Sequence, residues 1–162
     1  MFELRLSIHA PASMSALAVV DAGLDEHNVA ESALADVRPL HVIAERVDGA
    51  VAGGAIGRTW GECCELQQLW VEPGARSRGI GTRLIQSFED AARARGCVLV
   101  YLETFSFQAP EFYQAHGYSQ VLKVGGFTRG VVKFTLHKTI GTGFGDELNS
   151  AFARSPRRTV PT

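Results

Sequence analysis

Near the middle of the chain lies the stretch Val71-Glu72-Pro73-Gly74-Ala75-Arg76-Ser77-Arg78-Gly79-Ile80-Gly81-Thr82. The apolar residues before it are typical of a strand and those after it follow a helical period, so its glycines fall where a helix begins. The first backbone N–H groups of a helix have no partner within the helix and lie at the positive end of its dipole. Glycine leaves these groups accessible, and Arg76 and Arg78 add positive charge beside them. The stretch therefore predicts a binding site for a phosphate-bearing ligand.

Two familiar phosphate-binding loops are excluded by the residues that follow these glycines. A Walker A loop ends in Gly-Lys-Ser/Thr, whereas Gly81 is followed by Thr82 and Arg83. The dinucleotide fingerprint Gly-x-Gly-x-x-Gly requires a third glycine at the position of Leu84. The alternative without a ligand is an ordinary glycine-containing helix start with solvated arginines.

The surrounding sequence predicts strands before this loop and alternating elements after it. Leu40–Val47 and Val51–Ile56 flank Asp48-Gly49, a dipeptide typical of a type I′ hairpin turn, and a further strand is predicted over Cys63–Val71. After the loop we expect a helix from Ile80 that Gly96 ends, a buried strand over Cys97–Leu102, a helix over Pro110–His116, and strands over Tyr118–Val124 and Val131–His137.

The two ends of the chain carry weaker patterns. Phe2–Ile8 alternates apolar and polar residues like a half-buried strand. A helix follows, interrupted at Gly23, and a second helix is predicted over Asn28–Asp36. Residues 1–140 are predicted to form a single domain, and residues 141–162 a flexible or partner-docking extension with helical turns over Asp146–Arg154.

Composition limits the classes of function. The 162 residues suit one domain, and 46% hydrophobic with 20% charged residues is the balance of a soluble globular protein. No apolar run approaches the roughly 20 residues that cross a membrane, and the N-terminus does not resemble a signal peptide. A net charge of −1 argues against nucleic-acid binding through bulk positive charge, and three cysteines without metal-ligand spacing argue against a disulfide scaffold or a zinc site. A cytoplasmic single-domain protein is expected.

Two motifs carry a resemblance to a known family. The stretch Arg76-Ser77-Arg78-Gly79-Ile80-Gly81 resembles the Gln/Arg-x-x-Gly-x-Gly/Ala signature of the GNAT N-acetyltransferase superfamily. The stretch from Glu103 to Tyr118, which ends in Phe112-Tyr113-Gln114-Ala115-His116-Gly117-Tyr118, is similar to that family's second acetyl-CoA motif. The resemblance covers about Gly53 to Tyr118. It implies an α/β (α+β) fold with a mixed, mainly antiparallel sheet of six or seven strands flanked by helices.

The resemblance also implies an activity. It is the transfer of an acetyl group from acetyl-CoA to a primary amine of a small molecule or peptide, by direct attack in a ternary complex and without a metal. The implied acetyl-CoA-binding residues are Leu69, Val71, Arg76, Ser77, Arg78, Gly79, Ile80, Gly81, Thr82, Gln108 and Tyr113. Main-chain amides from about Gln68 to Val71 would hold the pantetheine arm, and the Val71 N–H would face the acetyl carbonyl oxygen. Where many members carry Asn, this chain offers Ser106 or Gln108 for the polar contact.

Tyr113 is the candidate acid for the departing coenzyme A sulfur. A phenol has an ordinary pKa of about 10, so it carries its proton at neutral pH and can donate it. Tyr113 also occupies the position where the resembled family often carries its catalytic tyrosine. The structural alternative is packing in an aromatic cluster with Phe112 and Tyr118.

Glu103 is the candidate base, because it follows the apolar strand and precedes the second motif, where many family members hold an acidic residue. Glu65 and, through water, Glu62 are the alternatives, and each carboxylate has an ordinary surface role as its competing interpretation. His116 is interpreted as an exposed helix-end residue.

Four other residues invite a functional interpretation but favour a structural one. Cys63 and Cys64 have no histidine partner at a recognisable spacing. Trp60 and Trp70 could line an acceptor pocket, but packing in the core or at a sheet edge is the preferred interpretation.

Two other functions stay open from the sequence. One is a non-catalytic acyl-CoA-binding sensor or regulatory module, since a phosphate loop alone does not require turnover. The other is a protein-interaction role in which Leu148 and Phe152 pair the chain with a second copy in a homodimer.

Overall fold

A computed structural model describes residues 6–8, 11–30 and 36–142 of the chain. Contacts divide the chain into two compact units, Met1–Ala35 and Asp36–Thr162. The first unit contains α1 (Met14–Ala30). The second contains β1 (Arg38–Glu45), β2 (Val51–Trp60), β3 (Cys63–Val71), α2 (Ile80–Ala94), β4 (Leu99–Phe105), α3 (Pro110–Ala115), β5 (Ser119–Val124) and β6 (Lys133–Thr139).

Helix α1 is longer than the sequence pattern predicts. The Ser13 hydroxyl accepts a hydrogen bond from the Ala16 N–H at 3.2 Å, as an N-terminal cap should. The helix then continues through Gly23, so the predicted interruption is wrong. One glycine costs a helix only about 1 kcal/mol relative to alanine, which the helix-forming residues on either side outweigh.

Several predictions about the chain ends fall wholly or partly outside the described residues. Of the predicted first strand, residues 2–5 are not described, and residues 6–8 are not in a strand. The predicted second helix is partly absorbed into α1, which contains residues 28–30, while residues 31–35 are not described. The helical turns predicted over Asp146–Arg154 also lie outside the described residues.

The six strands form one sheet in the order β1-β2-β3-β4-β6-β5. Every neighbouring pair is antiparallel except β3 and β4, which are parallel. This arrangement confirms the predicted mixed, mainly antiparallel sheet and the α+β class. The predicted hairpin is also present as β1 and β2, with Leu40 paired to Gly57 and Val42 to Ala55.

The turn of this hairpin differs from the predicted type I′ turn. Such a turn needs positive φ at both central residues, but only Gly49 has one, at 84°. The Gly49 N–H donates to the Arg46 carbonyl at 2.9 Å, and the Arg46 N–H donates to the Ala50 carbonyl at 2.9 Å. The connection is therefore a turn over residues 46–49, with Gly49 as its last residue. The Asp48 side chain also accepts a hydrogen bond from the Ala50 N–H.

The core lies between α2 and one face of the sheet, with buried side chains from β1, β2, β3, β4 and β6. The predicted apolar stripe of α2 is confirmed, since Leu84, Ile85, Phe88 and Ala92 are all buried. Gly96 follows the helix with φ at +85°, as expected for a glycine that ends it. Glu89, on the buried side too, is paired at 2.6 Å with Lys138 of β6, a contact the helical pattern does not predict.

Strand β4 starts two residues later than predicted. The Cys97 N–H donates to the Ala92 carbonyl at 3.0 Å, so this residue completes the end of α2. The N–H groups of Val98 and Leu99 then donate to the Glu62 carbonyl, and β4 runs from Leu99 to Phe105. The backbone N–H groups of residues 97 and 98 are therefore bonded to the end of α2 and to the turn before β3, respectively, and not to a neighbouring strand.

Gly57 lies at a bulge in β2, and replacing it with alanine is expected to destabilise the protein strongly. An added Cβ would collide with the Glu65 carbonyl oxygen and lie 2.7 Å from the Phe88 ring. Because the backbone of the adjacent strand cannot easily move, we expect a loss of about 3 kcal/mol, measured by thermal or urea unfolding. Gly125→Ala is the control, since its Cβ would meet nothing within 4 Å. Equal stability of the two variants would contradict this account of the bulge.

Candidate active site

Strands β3 and β4 separate after a short paired region and open a cleft. They pair only over Cys63–Leu66 and Leu99–Leu102, although β3 continues to Val71 and β4 to Phe105. The cleft has a volume of about 740 Å³. The predicted site residues that line it are Leu69, Val71, Arg76, Ser77, Gly79, Ile80, Gly81, Thr82, Glu103, Gln108 and Tyr113.

Arg78 is the one predicted binding residue that does not line this cleft, and it lines a second groove instead. That groove, of about 520 Å³, lies between β1 and the start of α2. Two arginines two residues apart therefore serve different surfaces, because the loop turns sharply between them. Ser77 has φ of 60° and Gly79 has φ of 74°, both in the left-handed region.

The backbone of β3 directs alternate N–H groups into the cleft. The Glu72 N–H donates to the Ala52 carbonyl of β2 at 2.9 Å. Successive N–H groups of a strand point in opposite directions, so those of Leu69 and Val71 point away from β2. They face the side where β4 has separated from β3. An extended ligand chain could therefore bond to this edge as an additional strand would.

The loop over residues 76–82, called the phosphate loop below, presents the first N–H groups of α2 to the same cleft. Gly79 caps the helix, and its carbonyl accepts the first helical bond from the Arg83 N–H at 3.0 Å. The N–H groups of Ile80, Gly81 and Thr82 therefore have no partner within the helix. Together with the helix dipole they form a site for a negatively charged group.

Gly81 keeps the cleft open beside these N–H groups. A Cβ at this position would lie 3.4 Å from the Phe112 ring and 3.8 Å from a Val71 methyl group. Val71 of β3 and Phe112 of α3 both line the cleft. Any longer side chain at position 81 would occupy the space between them.

Arg76 connects the loop to the end of β3. Its Nε donates to the Val71 carbonyl at 3.0 Å, which fixes the strand end next to the helix start. A guanidinium carries five N–H donors, so this bond leaves the two Nη groups to hold an anion.

Tyr113 is both a packing residue and a cleft residue. Its ring contacts Phe112 and Tyr118 edge to face, at centroid distances of 5.4 and 5.9 Å. The aromatic cluster offered as the structural alternative is therefore present, yet Tyr113 also lines the cleft. Burial raises the pKa of its phenol, so the proton stays on the oxygen at neutral and mildly alkaline pH.

Of the three candidate bases, the structure brings only Glu103 to the cleft. Its half-exposed carboxylate lies 2.5 Å from the Lys133 Nζ. Glu65 is held by Arg58 at 2.7 Å and by Gln67 at 3.2 Å, and it does not line the cleft. Glu62 does not line it either.

Gln108 rather than Ser106 lines the cleft at the start of the second motif. The Gln108 side-chain oxygen accepts a bond from the Phe105 N–H at 3.0 Å, which leaves its NH₂ group to donate to a ligand. Ser106 is instead bonded to Val132 through both its N–H and its hydroxyl.

Comparison with known proteins agrees with this geometry. Residues 14–118 match the sequence profile of the Acetyltransferase (GNAT) family. The chain belongs to this family. A blasticidin-S acetyltransferase of Streptomyces morookaense is 38% identical to it over 111 residues, which are 65% of this chain and 80% of that protein. The chain is therefore an acyl-CoA acetyltransferase with the fold and the loop that its sequence resembles.

Two solved structures share the fold of this GNAT acetyltransferase. The crystal structure of an acetyltransferase from Bacillus cereus ATCC 14579 has a TM-score of 0.72 and 25% identity, covering 83% of this chain and 97% of that one. An aminoglycoside 6′-N-acetyltransferase complexed with coenzyme A has a TM-score of 0.58 and 24% identity, covering 65% of this chain and 74% of that one.

The cleft also contains aromatic residues that are not among the predicted site residues. Trp70 is half exposed and lines the cleft, which is the alternative that the sequence ranked below packing. Phe107 lines the cleft too and stacks on Phe105 at 5.5 Å. Trp60 does pack as expected, edge to face on Tyr101 with Arg58 over its ring. The signal in the sequence for Trp70 was its position between Leu69 and Val71, two predicted binding residues of the same strand.

The three cysteines of this GNAT enzyme are free thiols. Burial raises the pKa of Cys63 and Cys97, and it raises that of Cys64 to about 12. These thiols keep their protons at neutral pH, which supports the structural interpretation of Cys63 and Cys64. Within residues 6–8, 11–30 and 36–142, no cluster of His, Cys, Asp or Glu could hold a metal, and no helix is long and apolar enough to cross a membrane.

Proposed function

We propose that this chain transfers the acetyl group of acetyl-CoA to a primary amine of a small molecule, by direct attack while both substrates are bound. The observation that carries the proposal is one cleft that joins three elements: the unpaired N–H groups of the phosphate loop, the Val71 N–H and the Tyr113 phenol. The similarity to a blasticidin-S acetyltransferase supports a small-molecule acceptor over a peptide.

The residues present fit the coenzyme. Bound acetyl-CoA supplies the acetyl group as an activated thioester. The N–H groups of residues 80–82 and the Arg76 guanidinium would hold its diphosphate, and Gln108 would donate a further polar contact. The N–H groups of Leu69 and Val71 would hold the pantetheine arm along β3.

The catalytic roles follow from which groups can donate and accept protons at the cleft. The Val71 N–H would stabilise the negative charge that develops on the acetyl oxygen. Tyr113, with its raised pKa, would give its proton to the departing sulfur. Glu103 would accept the proton that the amine loses, directly or through water.

The cleft suits an amine that also has apolar surface. Trp70 exposes 50% of its surface and Phe107 exposes 69%, a large aromatic area for a small protein. Exposed rings at a binding cleft are useful when a ligand covers them. A small amine carrying a ring or an apolar chain is therefore the acceptor class we propose.

Measuring free thiol release from acetyl-CoA tests this proposal. The panel contains blasticidin S, other ring-bearing amines, aliphatic polyamines and short peptides, with mass spectrometry of the products. We expect release only with an amine present, and fastest with ring-bearing small molecules. Tight coenzyme A binding without release from any amine would contradict the proposal and favour the acyl-CoA sensor.

Glu103→Gln is expected to lower kcat/KM for the acceptor by about 100-fold, the usual size of a general-base effect. Glu65→Gln is the control, because the Glu65 carboxylate is bonded to Arg58 away from the cleft. Equal losses in the two variants, or none in Glu103→Gln, would exclude Glu103 as the base.

The assembly and location of the chain stay predictions. The predicted homodimer would form through Leu148 and Phe152, which lie outside the described residues. Nearly all of the extension over residues 141–162 lies outside them as well. The molecular mass in solution before and after deletion of residues 143–162 tests that pairing. A monomer in both cases would contradict it. The cytoplasmic location is likewise an expectation from sequence.

A further inference from the structure

The imidazole of His116 joins α3 to the phosphate loop. Its Nδ1 lies 2.7 Å from the Phe112 carbonyl oxygen, and its Nε2 lies 3.1 Å from the Thr82 hydroxyl in the first turn of α2. Phe112 and Thr82 both line the cleft, and His116 is half buried behind them. The sequence interpretation of His116 as an exposed helix-end residue is therefore incomplete, because both ring nitrogens have partners.

The two partners fix where the protons of the imidazole lie. A carbonyl oxygen only accepts, so the Nδ1 that contacts Phe112 must carry a proton. In the neutral ring, Nε2 then has only a lone pair, and the Thr82 hydroxyl must donate to it. In the protonated ring, Nε2 donates to the Thr82 oxygen instead, and the hydroxyl hydrogen is released to point elsewhere.

The direction of this hydroxyl matters because Thr82 stands among the N–H groups that face the cleft. A diphosphate is a strong acceptor and favours donors around it. With a neutral imidazole, Thr82 presents only oxygen lone pairs to such a ligand. With a protonated imidazole, Thr82 can donate its hydrogen to the ligand, and the added positive charge is also favourable.

We propose that His116 is a positioning residue of the coenzyme site, which turns the Thr82 hydroxyl towards the diphosphate as the imidazole takes up a proton. The inference rests on the proposed acetyl-CoA function. It predicts that binding of the diphosphate and protonation of His116 favour each other, as any two linked binding events must.

The charged groups near this end of α3 have other partners or positions. Lys138 of β6 lies close to Gly117 and is paired with Glu89 of α2 at 2.6 Å. Arg83 of α2 lines the second groove rather than the cleft. Glu111 lies in the first turn of α3, at the opposite end of the helix from His116. The ring itself contacts Phe112, at 4.3 Å between centroids, and the Thr82 hydroxyl.

Calorimetric titration with 3′-dephospho-coenzyme A tests the proposal. This probe keeps the diphosphate but lacks the 3′-phosphate, which titrates in the same range as histidine. Repeating the titration in buffers of different ionisation enthalpy counts the protons taken up on binding. We expect net proton uptake near neutral pH, and binding about tenfold tighter at about pH 6 than at about pH 8, the effect of one charge-assisted hydrogen bond.

Three variants separate this role from a merely structural one. His116→Gln should lose the proton uptake. Thr82→Val should lose most of it, because only the charge of the imidazolium remains, whereas Thr82→Ser, which keeps the hydroxyl, should retain it. His41→Gln is the matched control, because His41 is exposed on β1 and lines neither the cleft nor the second groove. A purely structural contact would change affinity without changing the proton count.

The outcomes also distinguish this inference from the proposed function. Wild-type binding that is tight but independent of pH would overturn the role of His116 and leave the coenzyme site intact. Proton uptake that persists in His116→Gln, or that is undiminished in Thr82→Val, would overturn it as well. A wild-type protein that binds no dephospho-coenzyme A at any pH would overturn the coenzyme site and the inference together.

Discussion

Replacing Gly81 with leucine is expected to abolish measurable coenzyme A binding while the protein stays folded. A Cβ at this position already lies 3.4 Å from the Phe112 ring, and the rest of a leucine side chain would extend between Phe112 and Val71. That space lies next to the N–H groups assigned to the diphosphate. We expect at least about a 100-fold loss of affinity by calorimetry, which corresponds to about 2.7 kcal/mol.

Two further substitutions make this result interpretable. Gly74→Ala changes a glycine of the same loop, where a Cβ would meet nothing within 4 Å, and should leave the affinity unchanged. Gly81→Ala, whose methyl group just reaches Phe112, should give an intermediate loss. Circular dichroism and thermal unfolding would test whether each variant is folded. Wild-type affinity in folded Gly81→Leu would place the coenzyme elsewhere on the protein.

Tyr113→Phe is expected to lower turnover by about 100- to 1000-fold, the range of a lost general acid. The substitution removes one oxygen and keeps the ring, so the edge-to-face contacts with Phe112 and Tyr118 are retained. Coenzyme A affinity should therefore stay close to that of the wild type. Steady-state kinetics gives kcat, and calorimetry gives the affinity.

The pH dependence follows from the raised pKa of Tyr113. Because burial stabilises the protonated phenol, the wild-type enzyme should not lose its acid until the pH exceeds the ordinary phenol pKa of about 10. A fall in kcat at a lower alkaline pH must therefore come from another group. Tyr101→Phe is the matched control, since Tyr101 does not line the cleft. Unchanged kcat in Tyr113→Phe would exclude this residue as the acid.

The parts of the site that depend on local sequence could be predicted. Strand β3 has the predicted bounds, and α2 begins at Ile80, because a strand, a glycine loop and a helix each leave a short-range pattern. Eleven of the twelve predicted site residues line one cleft. Eight of them belong to β3, the glycine loop and the start of α2, and the other three (Glu103, Gln108 and Tyr113) come from β4, α3 and the turn between them. Arg78 is the exception because its direction depends on two left-handed residues, Ser77 and Gly79, whose effect on the backbone cannot be inferred from composition.

Features that depend on contacts between distant residues could not be predicted. The burial of Glu89 requires Lys138, which lies 49 residues further along the chain. The position of Trp70 in the cleft follows from the separation of β3 from β4, and no local pattern encodes where two strands part. The role of His116 needs Thr82 on another helix, 34 residues away. In each case the decisive partner is supplied by the fold.

The most direct measurement is an amide chemical-shift map of the ¹⁵N-labelled protein titrated with coenzyme A. If main-chain N–H groups hold the diphosphate and the pantetheine arm, the largest shifts belong to residues 79–82, with further shifts at Leu69 and Val71. Shifts confined to the groove around Arg78 and Arg83, or no shifts at saturating coenzyme A, would contradict the assignment of this cleft to the acyl carrier.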